Sequence, residues 1–600
     1  MPGPSVCVRG RIASSVVIGL AGLVTALLSS PSRAQDAVEP IQPGEAYVTR
    51  FSGTVEDGGA AVINLDGIVG SIVDVRNPGQ APQGHHWLNE PQRLPVTAGE
   101  VGQVFGVAFD DAEQPNIYLT ATSAFGLHRT ADNSDWMPGM WGPGGGPGTV
   151  WKLDAANGYQ PAIFAQVTTD GRENTGAALG AVVYDRWHRQ LFVSDLETGM
   201  IHRLALADGA DLGHYDHGTT GRAAFTDAAT GTAASLPPVA FDPATSARIA
   251  DCPSGDFART PSCWNLADFR RRVWGLDVRQ DAGTGSVRLY YAVWGSQGFG
   301  NPDWAAAGED QQNSVWSVAI AEDGSFDASS VRREFFLPEF FRSAEAIARA
   351  GIGNPVADIA FPAIGDDPVM LLAERGGLRN LGLTAEDAFA TPHEARVLRY
   401  EPDASGIWQP VGRYDVGFYD RQGDGPPYVR AGAAGGVAFG AGYTAAGAID
   451  PAQPDGFVWM TGDALCSAAG ACLDPAAGDH SDQSEVSGLE GENQSAFQEI
   501  IPAAAFQPYP APGPATPPAG PDQSYMIDAD VNVDGAGAPI PAELARNDAT
   551  RIGDVAVFQQ AAAGVPPAPV AELDLAITKR ALGAACLAGS ACPFEVTITN

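Results

Sequence analysis

The sequence predicts an all-β chain, a six- or seven-bladed β-propeller with long loop insertions, and three observations carry that expectation. First, the middle of the chain repeats one local pattern: an apolar-x-apolar triplet, a turn rich in Asp, Gly or Pro, then a second and often a third apolar strand. Second, the strands are built from alternating β-branched and aromatic residues, which suit a pleated, half-buried surface. Third, Gly (72) and Pro (46) make up about a fifth of the 600 residues, enough for many turns and short of a low-complexity chain.

Five repeats are visible. Gly106–Asp110 leads to Ile117–Leu119 and Thr149–Leu153. Ala181–Asp185 leads to Gln190–Asp195 and Met200–Leu204, and Trp274–Val278 to Val287–Tyr291 and Ser314–Val318. Asp358–Phe361 leads to Val369–Leu372 and Arg396–Tyr400, and Gly435–Phe439 to Gly456–Met460. Equivalent residues Phe109, Tyr184, Val278, Phe361 and Phe439 are spaced by 75, 94, 83 and 78 residues. A repeated three- or four-strand sheet that buries its faces on its neighbours is the signature of a propeller. The competing architecture, a string of sandwiches, would not share one strand-turn-strand template. Tyr47–Val75 supplies strands before the repeats and Ile552–Phe558 one after them, so pairing of the two ends would close the ring. The long spacing places insertions at Met137–Gly148 and Cys252–Cys263. Ser343–Ala350 is the one stretch with helical character. Ile501–Pro521 holds eight prolines and reads as an extended linker or loop.

The N-terminus has the pattern of an export signal. Arg9 and Arg11 precede an uncharged run from Ile12 to Leu28, and Ser32-Arg33-Ala34 places small residues at a cleavage site. The expectation is a leader over 1–34, with the mature chain starting near Gln35. The alternative, a membrane anchor, needs a longer apolar run. Six cysteines fall into three close pairs: Cys252 with Cys263, Cys466 with Cys472, and Cys586 with Cys592. An even count of local pairs without CxxC spacing reads as three disulfide-closed loops in an oxidising compartment.

Charge narrows the function classes. With 35 basic against 71 acidic residues, the net charge is −36. Such a surface repels nucleic acid and anionic lipid, and suits cations or neutral ligands. No segment after the leader is long and apolar enough for a transmembrane helix. No nucleophile elbow, P-loop or haem-attachment motif occurs.

Candidate site residues are few. Asp528, Asp530, Asn532 and Asp534, followed by Gly535, place oxygens as a Ca²⁺ loop would, although the twelfth position is Pro541 and flanking helices are not apparent. His214-Tyr-Asp216-His217 could supply part of a Zn²⁺ set, against the plainer reading of a polar surface loop. His85-His86-Trp87 is a weaker case. Glu485–Glu492 and Asp479–Asp482 could pair carboxylates for acid/base work, but read first as solvated acidic loops. Trp136, Trp141 and Trp151 surround a Gly-rich loop and could stack on sugar rings, with core packing as the default.

Two resemblances add expectations. Tyr184–Gly199 with Ile201–Leu204 resembles the blade idiom of the NHL and SMP-30/gluconolactonase propellers. That resemblance implies the fold; the metal ligands of the lactonase members find no counterparts that can be placed here. Ala571–Lys579 and Phe594–Asn600 resemble the opening of the bacterial DUF11 surface repeat, which implies the start of an Ig-like β-sandwich. The expected organisation is thus a leader over 1–34, a propeller over 35–565, and a linker with an incomplete DUF11-like sandwich over 566–600. The expected role is a non-enzymatic, secreted or bacterial cell-surface protein. It would use the propeller as a binding or display platform for a protein or carbohydrate ligand, with envelope attachment beyond Asn600. Ca²⁺ is the one cofactor suggested. The alternative is an extracytoplasmic metal-dependent propeller hydrolase of the lactonase type.

Overall fold

Each repeat becomes one antiparallel sheet, and six sheets close a ring. The computed structural model describes residues 38–76, 85–87, 93–125, 128–130, 134–243, 265–295, 303–341, 344, 347, 351–363, 368–376, 394–417, 431–444, 446–465, 486–498, 500, 524–529, 552–559, 576–581 and 594–599. From the axis outwards, blade two is Val104–Phe109, Ile117–Ala121, Thr149–Asp154 and Gln160–Gln166. Blade three is Leu179–Asp185, Gln190–Asp195, Met200–Ala205 and Asp211–Asp216. Blade four is Val273–Gln280, Val287–Val293, Ser314–Ile320 and Phe326–Phe336, extended by Phe225–Asp227 and Thr232–Ala234. Blade five is Val356–Ala360, Met370–Glu374, Val397–Pro402 and Trp408–Tyr414. Blade six is Ala433–Gly440, Phe457–Leu465, Val486–Asn493 and Tyr525–Asp528. The inner strands lie against one another in ring order, with blade six meeting blade one and blade one meeting blade two.

Blade one is a composite, and it closes the ring. Its inner strand is Ile552–Val557, which pairs antiparallel with Ala46–Arg50 so that Val555 faces Val48. Ile68–Val73 and Arg93–Thr97 complete the sheet. A second seam runs the other way: His85–Trp87, from the connection between those last two strands, adds in parallel to the outer strand of blade six. Blades one and six therefore each hold a strand that the chain delivers from the other end of the repeat array. The choice between six and seven blades resolves to six.

The alternation seen in the sequence packs both faces of each sheet. Six hydrophobic clusters lie between consecutive blades. Tyr118, Val150, Leu191 and Val193 join blades two and three, for example, and Leu371, Val397, Phe439 and Met460 join blades five and six. Each buried side chain of this size contributes about 1.5–3 kcal/mol of transfer free energy. A seventh cluster draws on five blades and sits at the axis: Phe51, Phe105, Phe125, Leu196, Trp274, Trp294 and Ala357.

The helix at Ala98–Val101, with a capping box between Thr97 and Glu100, was not expected from the sequence. Most of Ser343–Ala350 lies outside the described residues, and so does all of the Pro-rich stretch Ile501–Pro521. Ala576–Ala581 and Phe594–Thr599 pair as one antiparallel hairpin. No helix among the described residues is long and apolar enough to cross a membrane.

Candidate functional site

The axis is the place where all six repeats converge, so the site is built from the inner strands. After a β-bulge, each inner strand presents a small or acidic residue and then a β-branched or Leu residue that pairs with the second strand. The first positions are Gly106, Ala181, Gly275, Asp358, Gly436 and Asp554. Size matters here because neighbouring inner strands approach closely. A Cβ on Gly275 would lie 2.9 Å from the Asp358 nitrogen, and one on Gly436 would lie 2.7 Å from the Val555 nitrogen.

Hydroxyls pin the strands together in one half of the ring. Thr120 Oγ1 accepts from Gly106 N (3.0 Å) and donates to Gly180 O of the next blade (2.6 Å). Ser194 does the same between Ala181 N and Trp274 O, and Thr49 between Asp554 N and Phe105 O. In blades four and five the equivalent residues are Ala292 and Ala373, and carboxyls take over. Asp277 Oδ2 accepts from Phe361 N (2.9 Å), and Asp358 Oδ2 accepts from Val437 N (3.0 Å). Asp554 Oδ2 accepts from Val107 N at 3.1 Å. In all three the other oxygen accepts from the following residue's N–H, at 2.7 to 2.8 Å.

Asp554 is buried and Asp277 and Asp358 are partly so, and desolvation is the largest influence on each. It pushes Asp277 and Asp554 up to about 7. Asp358 is driven well above its ordinary range by burial and then by Asp554, whose carboxyl it meets across the axis. Backbone N–H donors work against the rise in each case, as does Arg375 at Asp554.

The end of the channel where the inner strands begin is filled. Phe51, Phe105, Phe125, Trp274 and Trp294 pack there, each less than 5% exposed. Trp274 and Trp294 meet edge-on at 5.2 Å. The Arg375 guanidinium lies 4.4 Å from the Phe125 ring centre and donates to Ile552 O at 2.8 Å.

Around this axis the two faces of the ring differ. One carries the turns from inner to second strand and from third to outer strand. Those of blades three and four, and the outer turn of blade five, are short and closed by Asp: Asp185 accepts from Trp187 N and His188 N, Asp281 from Thr284, Asp323 from Ser325, and Asp403 from Ser405. The other face carries the long insertions and a layer of buried ion pairs. Arg396 grips Glu374 with two bonds of 2.8 and 2.6 Å, Arg413 holds Asp415, Arg271 holds Asp216, and Arg172 holds Glu197.

The sequence-based candidates fare unevenly against this geometry. Asp528 ends the outer strand of blade six, while Asp530, Asn532 and Asp534 lie outside the described residues, as do all six paired cysteines and Asp479–Asp482. His85–Trp87 is the strand of the second seam. The polar surface loop expected at His214–His217 is a correction. His217 is buried, its Nδ1 is 3.1 Å from the Tyr291 hydroxyl, and Asp216 is committed to Arg271. Burial, with Arg222 and Arg271 nearby, lowers His217 well below its usual range. The solvated acidic loop at Glu485–Glu492 is a second correction. Glu490 and Glu492 are fully buried on the third strand of blade six, and burial pushes Glu490 up to about 8. Trp136 and Trp141 pack edge-on at 5.0 Å, and Trp151 belongs to the same core. Sequence reasoning passed over Asp277, Asp358 and Asp554. The available signal was an Asp inside an otherwise apolar strand. Among the described residues, no group of three or more His, Cys, Asp or Glu is placed to hold a metal ion.

No protein-family model matches the chain, and no curated protein matches its sequence. Solved structures align with it at low identity and low TM-score. A chain of a nidogen/laminin complex aligns with a TM-score of 0.35 and 9% identity, over 86% of this chain and 100% of that one. A protein of unknown function from Desulfotomaculum acetoxidans gives 0.30 and 7%, over 78% and 90%. The Cps50 (Swd1) β-propeller domain of Myceliophteria thermophila gives 0.26 and 9%, over 67% and 86%. The assignment of six blades rests on the strand order and the closing seam.

Proposed function

We propose that this protein is an exported binding platform, a rigid propeller that presents its insertion-bearing face to an extracytoplasmic partner. The observation that carries the reading is the use to which the axis is put. Aromatic rings fill the mouth on the insertion face, and the axial carboxyls are occupied with the backbone of the next blade. Groups spent on holding strands in register stabilise the ring, and leave recognition to the loops around it. The leader, the cysteine pairs and the resemblance of the last 30 residues to a surface repeat support an extracytoplasmic setting.

One observation favours the second reading, a metal-dependent hydrolase of the lactonase type: three carboxyls surround one axis. Two measurements on the full chain separate the readings. The first is sedimentation with cell envelopes of the producing organism; the second is lactone turnover with added Ca²⁺, Mn²⁺ or Zn²⁺. A platform binds envelopes saturably and turns nothing over. Metal-dependent turnover that disappears in Asp358→Asn would establish the hydrolase, and absence of saturable envelope binding would remove the platform.

A further inference from the structure

Blade three carries a group of metal-ligating side chains away from the axis. His202 and His214 stand directly opposite each other on its third and outer strands, with ring centres 5.6 Å apart. Val193 faces His202 from the second strand and packs in the cluster between blades two and three. Opposite residues share a face of a sheet, so both imidazoles stand on that side. Asp195, at the end of the second strand, places Oδ2 at 3.6 Å from His202 Nε2. The sequence pattern joins His214 to Asp216 and His217 instead, but the fold engages those two with Arg271 and Tyr291.

The state of His202 points to a ligand. The residue is 1% exposed, and its Nε2 is buried without a hydrogen-bond partner. A buried polar atom in that state is costly unless something occupies it. Asp195 is fixed beside it. Its Oδ1 accepts from Asn174 Nδ2 at 2.8 Å, from Glu197 N at 2.9 Å and from Thr198 N at 3.3 Å, and its Oδ2 faces the ring. The separation of 3.6 Å is too long for a hydrogen bond. It suits two ligands of one ion, since bonds of about 2.1 Å at a tetrahedral angle place ligand atoms about 3.4 Å apart. Two imidazoles on such an ion have ring centres about 5 Å apart. His214 is half-buried, and its ring makes no hydrogen bond among the described residues. Two of the three groups therefore stand at ligand spacing, and rotation of the His214 side chain brings in the third.

Two nitrogens and one carboxylate oxygen select the metal. Zn²⁺ accepts this set with water in the fourth position, whereas Ca²⁺ and Mg²⁺ take oxygen. We infer that His202, His214 and Asp195 bind one Zn²⁺ ion, which ties the outer strand Asp211–Asp216 to the two strands inside it. The site is separate from the axial carboxyls, and the inference goes beyond both functional readings.

The test is calorimetric titration of the metal-free full chain with Zn²⁺ at pH 7.5, together with the electron paramagnetic resonance spectrum of bound Cu²⁺. The expected result is a saturable site in the wild type that disappears in His202→Gln and in His214→Gln. Bound Cu²⁺ should show coupling to two imidazole nitrogens in the wild type and to fewer in either variant. His188→Gln, on the opposite face, should bind as wild type does. Zn²⁺ binding unchanged in both blade-three variants would overturn the inference, whatever other sites the chain holds. Equal loss in His188→Gln would overturn it too, because it would mean scattered binding to surface histidines. If His202→Gln lowers the melting temperature of the metal-free chain, the half-buried His214→Gln decides: retention of the site there removes the inference, and its loss sustains it.

Discussion

The two faces of this propeller are made from the same strands and stabilised by opposite means. On the turn face, the short reversals of blades three to five are closed locally by an Asp that accepts from residues two or three further on, as at Asp281 and Asp323. On the insertion face, most reversals are long, and order comes from buried guanidinium–carboxylate pairs, several of them between residues far apart in sequence. Arg396 and Glu374 are 22 residues apart, and Arg222 and Asp310 are 88. The physical difference is dielectric. An exposed Asp in a turn exchanges one hydrogen bond for another with water. A buried pair is held by strong attraction, and either partner alone is a stranded charge. Loops on the insertion face can therefore vary in length while their roots stay fixed.

The comparison is broken most severely at Arg396. Arg396→Met leaves Glu374, which is fully buried, without its cation. The expected loss is about 3–5 kcal/mol, read as a fall in the urea midpoint at unchanged slope. A smaller effect than at Asp281 would mean that the ion-pair layer is dispensable.

The axis common to both faces is tested next. Gly275→Ala brings a methyl to 2.9 Å from the Asp358 nitrogen and the Val356 oxygen, where the backbone of the neighbouring inner strand prevents relaxation. The expected cost is about 2–3 kcal/mol. The same substitution at Gly285, in the turn after that strand, meets no neighbour but has φ of 72° and measures backbone strain alone.

Protonation gives a third test. Because burial raises Asp277, Asp358 and Asp554, the folded chain holds protons that the unfolded chain releases near pH 4. The folded state binds more protons between about pH 4 and about pH 7, so this contribution to stability is largest in acid and declines as pH rises through that window. Asp554→Asn keeps an oxygen for the Val107 N–H and removes one ionisation. Its stability relative to wild type should rise by about 1–3 kcal/mol between about pH 5 and about pH 8, read from thermal melts at both. A constant difference would show that Asp554 does not titrate in this range.

The smallest effect belongs to the turn face. Asp281→Ala removes an acceptor for Thr284 at an exposed reversal. The expected loss is about 0.5 kcal/mol. A loss as large as that of Arg396→Met would erase the distinction between the faces.

Much of this plan was legible before folding. The strand-turn-strand pattern marks five inner strands by the triplets ending at Phe109, Tyr184, Val278, Phe361 and Phe439, because period-two alternation is a local property of the chain. The closing strand at Ile552–Val557 and the strands before the repeats were legible for the same reason. The site was not. Asp277 inside Trp274–Val278 looks like any polar residue on a half-exposed strand, and its partner, Phe361 N, is 84 residues away. Glu490 and Glu492 read as surface because two acids in a Gly-rich segment usually are; here the strand buries both, with Glu490 beside Gly417 and Asp415.

The sequence by itself determined the all-β class, the repeat, the turn chemistry of one face and the acidic balance of the whole. All of these depend on neighbours within a few residues or on composition. Ring closure decided the rest. It set the number of blades, the second seam through His85–Trp87, the meeting of Asp358 with Asp554, and the pairing of Arg222 with Asp310. Those features exist only when segments tens to hundreds of residues apart share a space from which water is excluded, since there a hydrogen bond or a charge takes its strength from burial rather than from sequence.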